Sequence, residues 1–290
     1  MGRRNKNVKR DAKMSGAVYL NGSFLAEEEA VISPNDRGFI FADGVYEVVK
    51  YYNGKPFRYS DHIERLKQSL KELDLNYDDV GGLKSLFNRL IFENGLAEKH
   101  AGIYIQITRG NNKRVHYFPQ DISPTVYAFA FELPSFTVNL QNGIKVITKD
   151  DIRWHRCDIK SVSLLPNTML YNEAVKQGAG ESILIRDGIV TEATHSSVLM
   201  VKNGVIYAHP LTNLILPGIT RKVVEEICET AQIPFVEKRV KKSELLEMDE
   251  IFITGTGSEI TPVIQVNDTQ ISPTPGDITR FIQQQFFALV

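Results

Sequence analysis

Four pairs of residues, Asn21-Gly22, Asn53-Gly54, Asp187-Gly188 and Asn203-Gly204, each sit between two runs rich in β-branched and aromatic residues. Asn and Asp tolerate the left-handed backbone that a tight hairpin turn requires, and Gly adopts it freely. Each pair therefore predicts an antiparallel hairpin, and β-rich units are expected in both halves of the chain. What lies between the hairpins decides the fold class.

HIERLKQSLKELDL places Ile63, Leu66, Leu70 and Leu73 on one helical face, with Ser60 or Asp61 as the expected N-cap. Residues 80–96 read as a second helix, and GIYIQITRG and PTVYAFAFEL as strands. The periodicity weakens around LPSFTVNLQNG. IKVITKD is a strand, NTMLYNEAVKQG a helix ended by Gly178, and ESILIRDGIVTEATHSSVLMVKNGVIYAHP four short strands. ITRKVVEEICETAQI is an amphipathic helix, EIFITGTGSEITPVIQV ends in strands, and DITRFIQQQFFAL is a helix. The expected class is α+β. The expected division is a basic disordered tail over 1–15, a small α+β domain over 16–133, a linker over 134–139 and a larger domain over 140–290.

Composition narrows the functions. The chain of 290 residues has an ordinary globular balance and a formal net charge of −1, so no global field recruits nucleic acid. The opening MGRRNKNVKRDAK holds six Lys or Arg against one Asp and reads as a solvated tail. No signal-peptide pattern and no long apolar span appears, so no membrane role is expected. Cys157 and Cys228 are far apart, which fits a reducing cytoplasm. The six histidines show no HExxH spacing, and no metal is expected. The chain lacks the GxSxG of a nucleophile elbow and the GK[ST] ending of a P-loop.

Five places carry candidate chemistry, each with a plain alternative. In DIRWHRCDIKSVSLLP, Lys160 stands at the edge of an apolar segment, either as a solvated charge or as an amine held in a site. In LILPGITRKVVEE, a helix begins at Ile219 or Thr220; Thr220 is either a cap or part of an anion site. FITGTGSEITP offers glycine amides and threonine hydroxyls to a phosphate, or is only a tight turn. Glu192, in GIVTEATHSS, faces water or, if inward, needs a cationic partner. Arg114 and His116, in NNKRVHYFP, point to one side of an extended segment, where they are solvated or grip a carboxylate.

In order, DRGFIFADGVYEVVKYYNG, HIERL, TRGNNKRVH, DIRWHRCDIKS, NEAVKQGAGESIL, VTEATHSS, LPGITR and MDEIFITGTGSEITPV resemble the class IV aminotransferases, of pyridoxal-phosphate fold type IV. The resemblance covers about residues 17–265 and is nearest to the D-amino-acid-specific members. It implies a small α+β domain, a larger β-barrel-like domain with helices, and pyridoxal 5′-phosphate held between them. It assigns Lys160 to the Schiff base and to proton transfer, and Glu192 to the pyridine nitrogen. It assigns Arg65, Ile219, Thr220 and Thr256 to the phosphate, and Leu216 to the cofactor ring. Tyr46, Arg114 and His116 match the group that grips the substrate carboxylate.

The reaction implied is transamination between a D-amino acid of the D-alanine type and a 2-oxo acid such as 2-oxoglutarate, in a cytoplasmic homodimer. Branched-chain L-amino-acid transamination, an (R)-amine transaminase, aminodeoxychorismate lyase chemistry and a non-catalytic cofactor-binding protein are the alternatives. One departure stands out. Where the D-specific members carry a glycine and a serine run ending in asparagine, this chain has Ala193, Thr194, His195, Ser196 and Ser197, and His195 is bulky for a place near the cofactor.

Overall fold

The structure, a computed structural model, describes residues 16–290; the basic tail expected over 1–15 lies outside the described residues. Asn21, Asn53, Asp187 and Asn203 turn their hairpins with φ of 47°, 48°, 52° and 51°. The first hairpin joins β1 (Ala17–Leu20) to β2 (Ser23–Ala26). A short α1 (Arg37–Phe41) follows, begun by Asp36, whose carboxylate accepts from the Gly38 N–H. Its single turn is too short to leave a periodicity in the sequence. The second hairpin joins β3 (Gly44–Tyr52) to β4 (Lys55–Pro56). Then come α2 (Tyr59–Glu72), α3 (Leu83–Glu93), β5 (Ala101–Thr108) and β6 (Thr125–Glu132).

These strands form an antiparallel sheet in the order β2-β1-β6-β5-β3-β4. Leu66 and Leu70 of α2 and Phe87 and Leu90 of α3 pack on Val49, Ile103 and Ile105. Burial of each such side chain stabilises the unit by about 2 kcal/mol. The expected cap of α2 is corrected: Arg58, at φ 54°, is the N-cap residue, with no side-chain cap. Asp61 instead pairs with Arg58 and Lys222, because two nearby cations attract it more than a backbone amide does.

α4 (Thr137–Asn142) begins inside the segment expected to be a linker. Beyond it lie β7 (Ile144–Asp150), α5 (Leu165–Lys176), β8 (Glu181–Arg186), β9 (Ile189–Ala193), β10 (Ser197–Lys202) and β11 (Val205–Ala208). α6 (Ile219–Ala231), β12 (Phe235–Glu237), β13 (Glu250–Gly255), β14 (Glu259–Val266), β15 (Thr269–Gln270) and α7 (Asp277–Phe287) complete the chain. The second sheet runs β12-β11-β10-β13-β14-β7-β8-β9, with β15 on β14, and curls until β9 lies against β10. Alternation sorts its faces. Val198, Met200, Ile251 and Ile253 point into the curl, while Leu199, Val201 and Phe252 meet α6 and α7 outside. This is the α+β architecture with a barrel-like larger unit.

β7 and β8 are parallel, so a crossover must join them. That crossover, residues 151–164 followed by α5, carries Lys160 back to the small sheet. The two sheets are tied by a buried ion pair. Lys50 of β3 reaches Glu259 of β14 at 2.7 Å, and the hydroxyls of Tyr52 and Ser135 donate to the same carboxylate.

Candidate active site

Lys160 is held by its backbone before its side chain does anything. Its N–H donates to Ser69 Oγ of α2 at 3.1 Å, and its carbonyl accepts from the Tyr46 N–H at 3.0 Å. The Val162 N–H donates to the Gly44 carbonyl at 3.0 Å. The crossover is thus laced to β3. The side chain enters a cavity of about 520 Å³, with Nζ 4.2 Å from the centre of the Tyr46 ring. Among the described residues that amine has no carboxylate and no hydrogen-bond partner. Lys50, by contrast, is buried and fully paired. An unpaired lysine in a cavity is available for chemistry.

Glu192 lies near the end of β9 and is 6% exposed. Arg153 Nη1 donates to its Oε1, and the Leu216 N–H donates to its Oε2 at 3.1 Å. Arg153 is shared, since its Nε and Nη2 donate to Asp151 at 2.9 and 2.8 Å. Burial pushes the Glu192 carboxyl up; Arg153 and the amide pull it down, and burial prevails. Glu192 therefore keeps an affinity for a further proton or cation in the cavity.

The start of α6, beside Arg65, is built to receive an anion. Arg65, from α2, donates to both Glu47 oxygens at 2.7 and 2.9 Å and to the Pro217 carbonyl at 2.9 Å. His62 Nδ1 lies 2.9 Å from the same Glu47 carboxylate. Burial pushes Glu47 up, but Arg65 and His62 together hold it well below the usual carboxylate range. α6 starts after Gly218 with no side-chain cap and no acid in its first turn. Among the described residues the N–H groups of Ile219, Thr220 and Arg221 have no partner; the first helical bond runs from the Lys222 N–H to the Gly218 carbonyl. In α7, Glu250 takes the Ile278 and Thr279 amides. An open helix start beside an arginine attracts phosphate.

The cradle is tight. A Cβ at Gly218 would stand 2.7 Å from Ser197 Oγ, and one at Gly255 2.8 Å from Ser258 Oγ. Thr254 Oγ1 is buried against the cavity without a partner among the described residues. An open helix start, an arginine, hydroxyls, a free amine and a proton-hungry acid fit pyridoxal 5′-phosphate by the chemistry of its phosphate, aldehyde and ring nitrogen.

Of the residues expected from the sequence, Tyr46, Arg65, Lys160, Glu192, Leu216, Ile219 and Thr256 line this one cavity. Thr220 stands at the helix start with a buried side chain outside the lining. Arg114 and His116 lie elsewhere, exposed in the connection from β5 to β6. They do share a side, since Arg114 sits 5.2 Å from the Phe41 ring centre and the His116 ring 5.4 Å from it. Arg37 Nη1 holds that connection through the Val115 carbonyl at 2.6 Å. Arg153, Glu47, His62 and Glu181 were not singled out from the sequence. Neither glutamate carries a decisive local signal: Glu47 lies between Tyr46 and Val48, where a strand's wet face is as good a reading, and Glu181 opens its strand after a glycine.

Comparison with known proteins agrees with this geometry. Residues 44–266 match the amino-transferase class IV family. The D-alanine aminotransferase of Bacillus licheniformis is 43% identical over 92% of this chain and 94% of its own length. That of Staphylococcus epidermidis is 43% identical over 93% of this chain and 96% of its own. Among solved structures, the Escherichia coli branched-chain amino acid aminotransferase superposes with a TM-score of 0.90 at 26% identity, over 95% of this chain and 94% of that one.

Proposed function

The chain belongs to the class IV aminotransferases, and on that premise we propose that it moves the amino group of a D-amino acid, D-alanine first, to a 2-oxo acid such as 2-oxoglutarate. Two relatives named D-alanine aminotransferase, similar over almost their whole length, support the D-specific reading. The observation that carries the chemistry is the unpartnered Lys160 amine in the same cavity as the buried Glu192.

Pyridoxal 5′-phosphate, when bound, supplies an aldehyde that takes up an amino group and a ring that withdraws electrons. Arg65, the free amides at the start of α6 and Thr256 would hold its phosphate, Leu216 would pack on its ring, and Glu192 would face the ring nitrogen. Lys160 Nζ acts as a base, taking the proton from the substrate Cα and holding it for return. Tyr46, 4.2 Å from Nζ at its ring centre, limits where that amine can swing. Arg114 and His116 pair with the substrate carboxylate when a second copy brings its β5–β6 connection to this cavity, so a homodimer belongs to the proposal.

Borohydride treatment of the cofactor-saturated protein, followed by peptide mass mapping, should place the cofactor's mass on Lys160. An unmodified Lys160 overturns the reading. Mixing Arg114→Ala with Lys160→Ala subunits should restore activity that neither variant has alone; no restoration rejects the shared carboxylate grip. A branched-chain L-specific activity is the second reading, favoured by the Escherichia coli structure. It is distinguished by assaying D-alanine against L-leucine.

A further inference from the structure

Glu181 opens β8 and is wholly buried. Its Oε1 accepts from the Ser182 N–H at 2.8 Å, the Thr194 N–H at 3.2 Å and the Thr194 hydroxyl. Its Oε2 lies 2.8 Å from His195 Nδ1. That is an ion-pair distance at a poor hydrogen-bonding angle, and Oε2 makes no hydrogen bond among the described residues. A buried carboxylate is costly without a cation, and His195 is the cation beside it.

The tautomer follows from the hydrogens. The Thr194 hydroxyl hydrogen is directed at Glu181, so its 3.0 Å contact with His195 Nδ1 needs the hydrogen on the imidazole nitrogen. Nδ1 therefore faces inward as a donor. Nε2 is left with no partner among the described residues. The side chain is 55% exposed and lines the cavity that holds Lys160. It stands at the mouth, with the Tyr171 ring edge-on at 4.9 Å.

Two neighbouring polar side chains of α5 are engaged. Asn167 Nδ2 donates to the Thr194 carbonyl, and Thr168 Oγ1 to the Leu165 carbonyl. Arg65 and Arg153 are bound to carboxylates. Among the described residues, Lys160 and His195 are the cations lining this cavity without a carboxylate hydrogen-bonded to them.

We propose that His195, backed by Glu181, is the residue that selects substrates carrying a second carboxylate, its Nε2–H meeting the distal acid group of a dicarboxylic 2-oxo acid or amino acid at the mouth of the cavity. The proposal rests on the transaminase reading and names the substrate class of the same site. Three charged or titratable groups face the ring. Burial lowers its proton affinity, Glu181 on β8 raises it more, and Lys160 on the crossover lowers it slightly, for a net rise; Tyr171 on α5 adds a phenol. Selection should therefore hold below that raised value and fade as pH rises through it.

Two readouts test this on the holoenzyme. Calorimetric titration with glutarate and with butanoate compares one added carboxylate without turnover. Wild type should prefer glutarate, and His195→Gln should cut the preference about tenfold, the scale of one charge-assisted hydrogen bond. His195→Lys, which keeps a cation, should restore most of it. The ratio of kcat/KM for 2-oxoglutarate to that for 2-oxobutanoate should move in parallel. An unchanged glutarate preference in His195→Gln overturns the proposal, as does equal binding of the two acids by wild type. Failure of wild type to convert its bound cofactor with both D-alanine and L-leucine would instead overturn the transaminase reading, and the glutarate titration would still report on His195.

Discussion

Two carboxylates are buried beside the same cavity, and each touches an arginine, yet they end in opposite states. Glu47 is gripped by Arg65 through both oxygens and by His62, and it is driven far below the usual carboxylate range. Glu192 has one arginine, which it shares with Asp151, and one backbone amide, and it stays above that range. Burial is the largest influence on both and acts in the same direction. The difference is how many donors the fold commits to each. A carboxylate given more donors than it needs becomes scaffold; one given fewer remains responsive to what enters the cavity.

Replacing the responsive one should cost the most activity. Glu192→Gln keeps the shape and removes the charge, and kcat should fall about 10³-fold, the scale of losing one preorganised electrostatic partner. Stability should hold or rise, since a buried charge disappears. Single-turnover rates within tenfold of wild type would break the comparison.

Glu47→Gln should do the reverse. It leaves Arg65 and His62 without their anion, and stability at pH 7 should drop by about 3–5 kcal/mol. Activity should suffer less, through looser cofactor binding as Arg65 loses its anchor. Denaturant midpoints and the cofactor dissociation constant check both parts. A stable variant with a large kcat defect would mean that Glu47 is the functional acid.

The acid dependence sharpens the same point. Glu47 has a depressed folded value, so its contribution is present above the ordinary carboxylate value of 4.5 and is lost as pH falls through the folded one. The stability gap between wild type and Glu47→Gln should be full at pH 7 and shrink steadily below about pH 4.5. A gap that stays constant to the acid limit would show that Glu47 acts through packing alone.

The sequence shows the scaffold and the responsive group unequally well. Hairpins were legible because Asn21, Asn53, Asp187 and Asn203 need a backbone that few residues tolerate. Lys160, Glu192 and the α6 start were legible as local oddities and through the family's order of motifs. Glu47 was not, because a glutamate between Tyr46 and Val48 reads equally as a strand's wet face, and its partners lie on α2. Arg153 sat inside the charged run DIRWHRCD, where one guanidinium looks like the next; only the curl of the sheet brings it to Glu192. Arg114 and His116 were found as a pair on one side, but one chain does not bring them to its own cavity. Chain-local chemistry shows in the sequence, and contacts made across the fold do not.

Arg153 is what keeps the two carboxylates from diverging further, and its replacement should give the smallest change at the optimum and the clearest change with pH. Arg153→Met leaves Asp151 with Arg186, whose Nη2 is 3.1 Å from Oδ1, so the neighbouring acid keeps a cation. Glu192 keeps only the Leu216 amide. Its proton affinity, already raised by burial, should rise further once the opposing charge is gone. Glu192 must be ionised to pair with a cation in the cavity, so the acid limb of kcat should move upward by the same amount. Well above that limb, kcat should stay within a few-fold of wild type. Arg153→Lys retains the charge and should keep the limb near its wild-type place. An acid limb that does not move in Arg153→Met would mean that Arg153 only packs beside Glu192, and that the donors on Glu47 alone separate the two carboxylates.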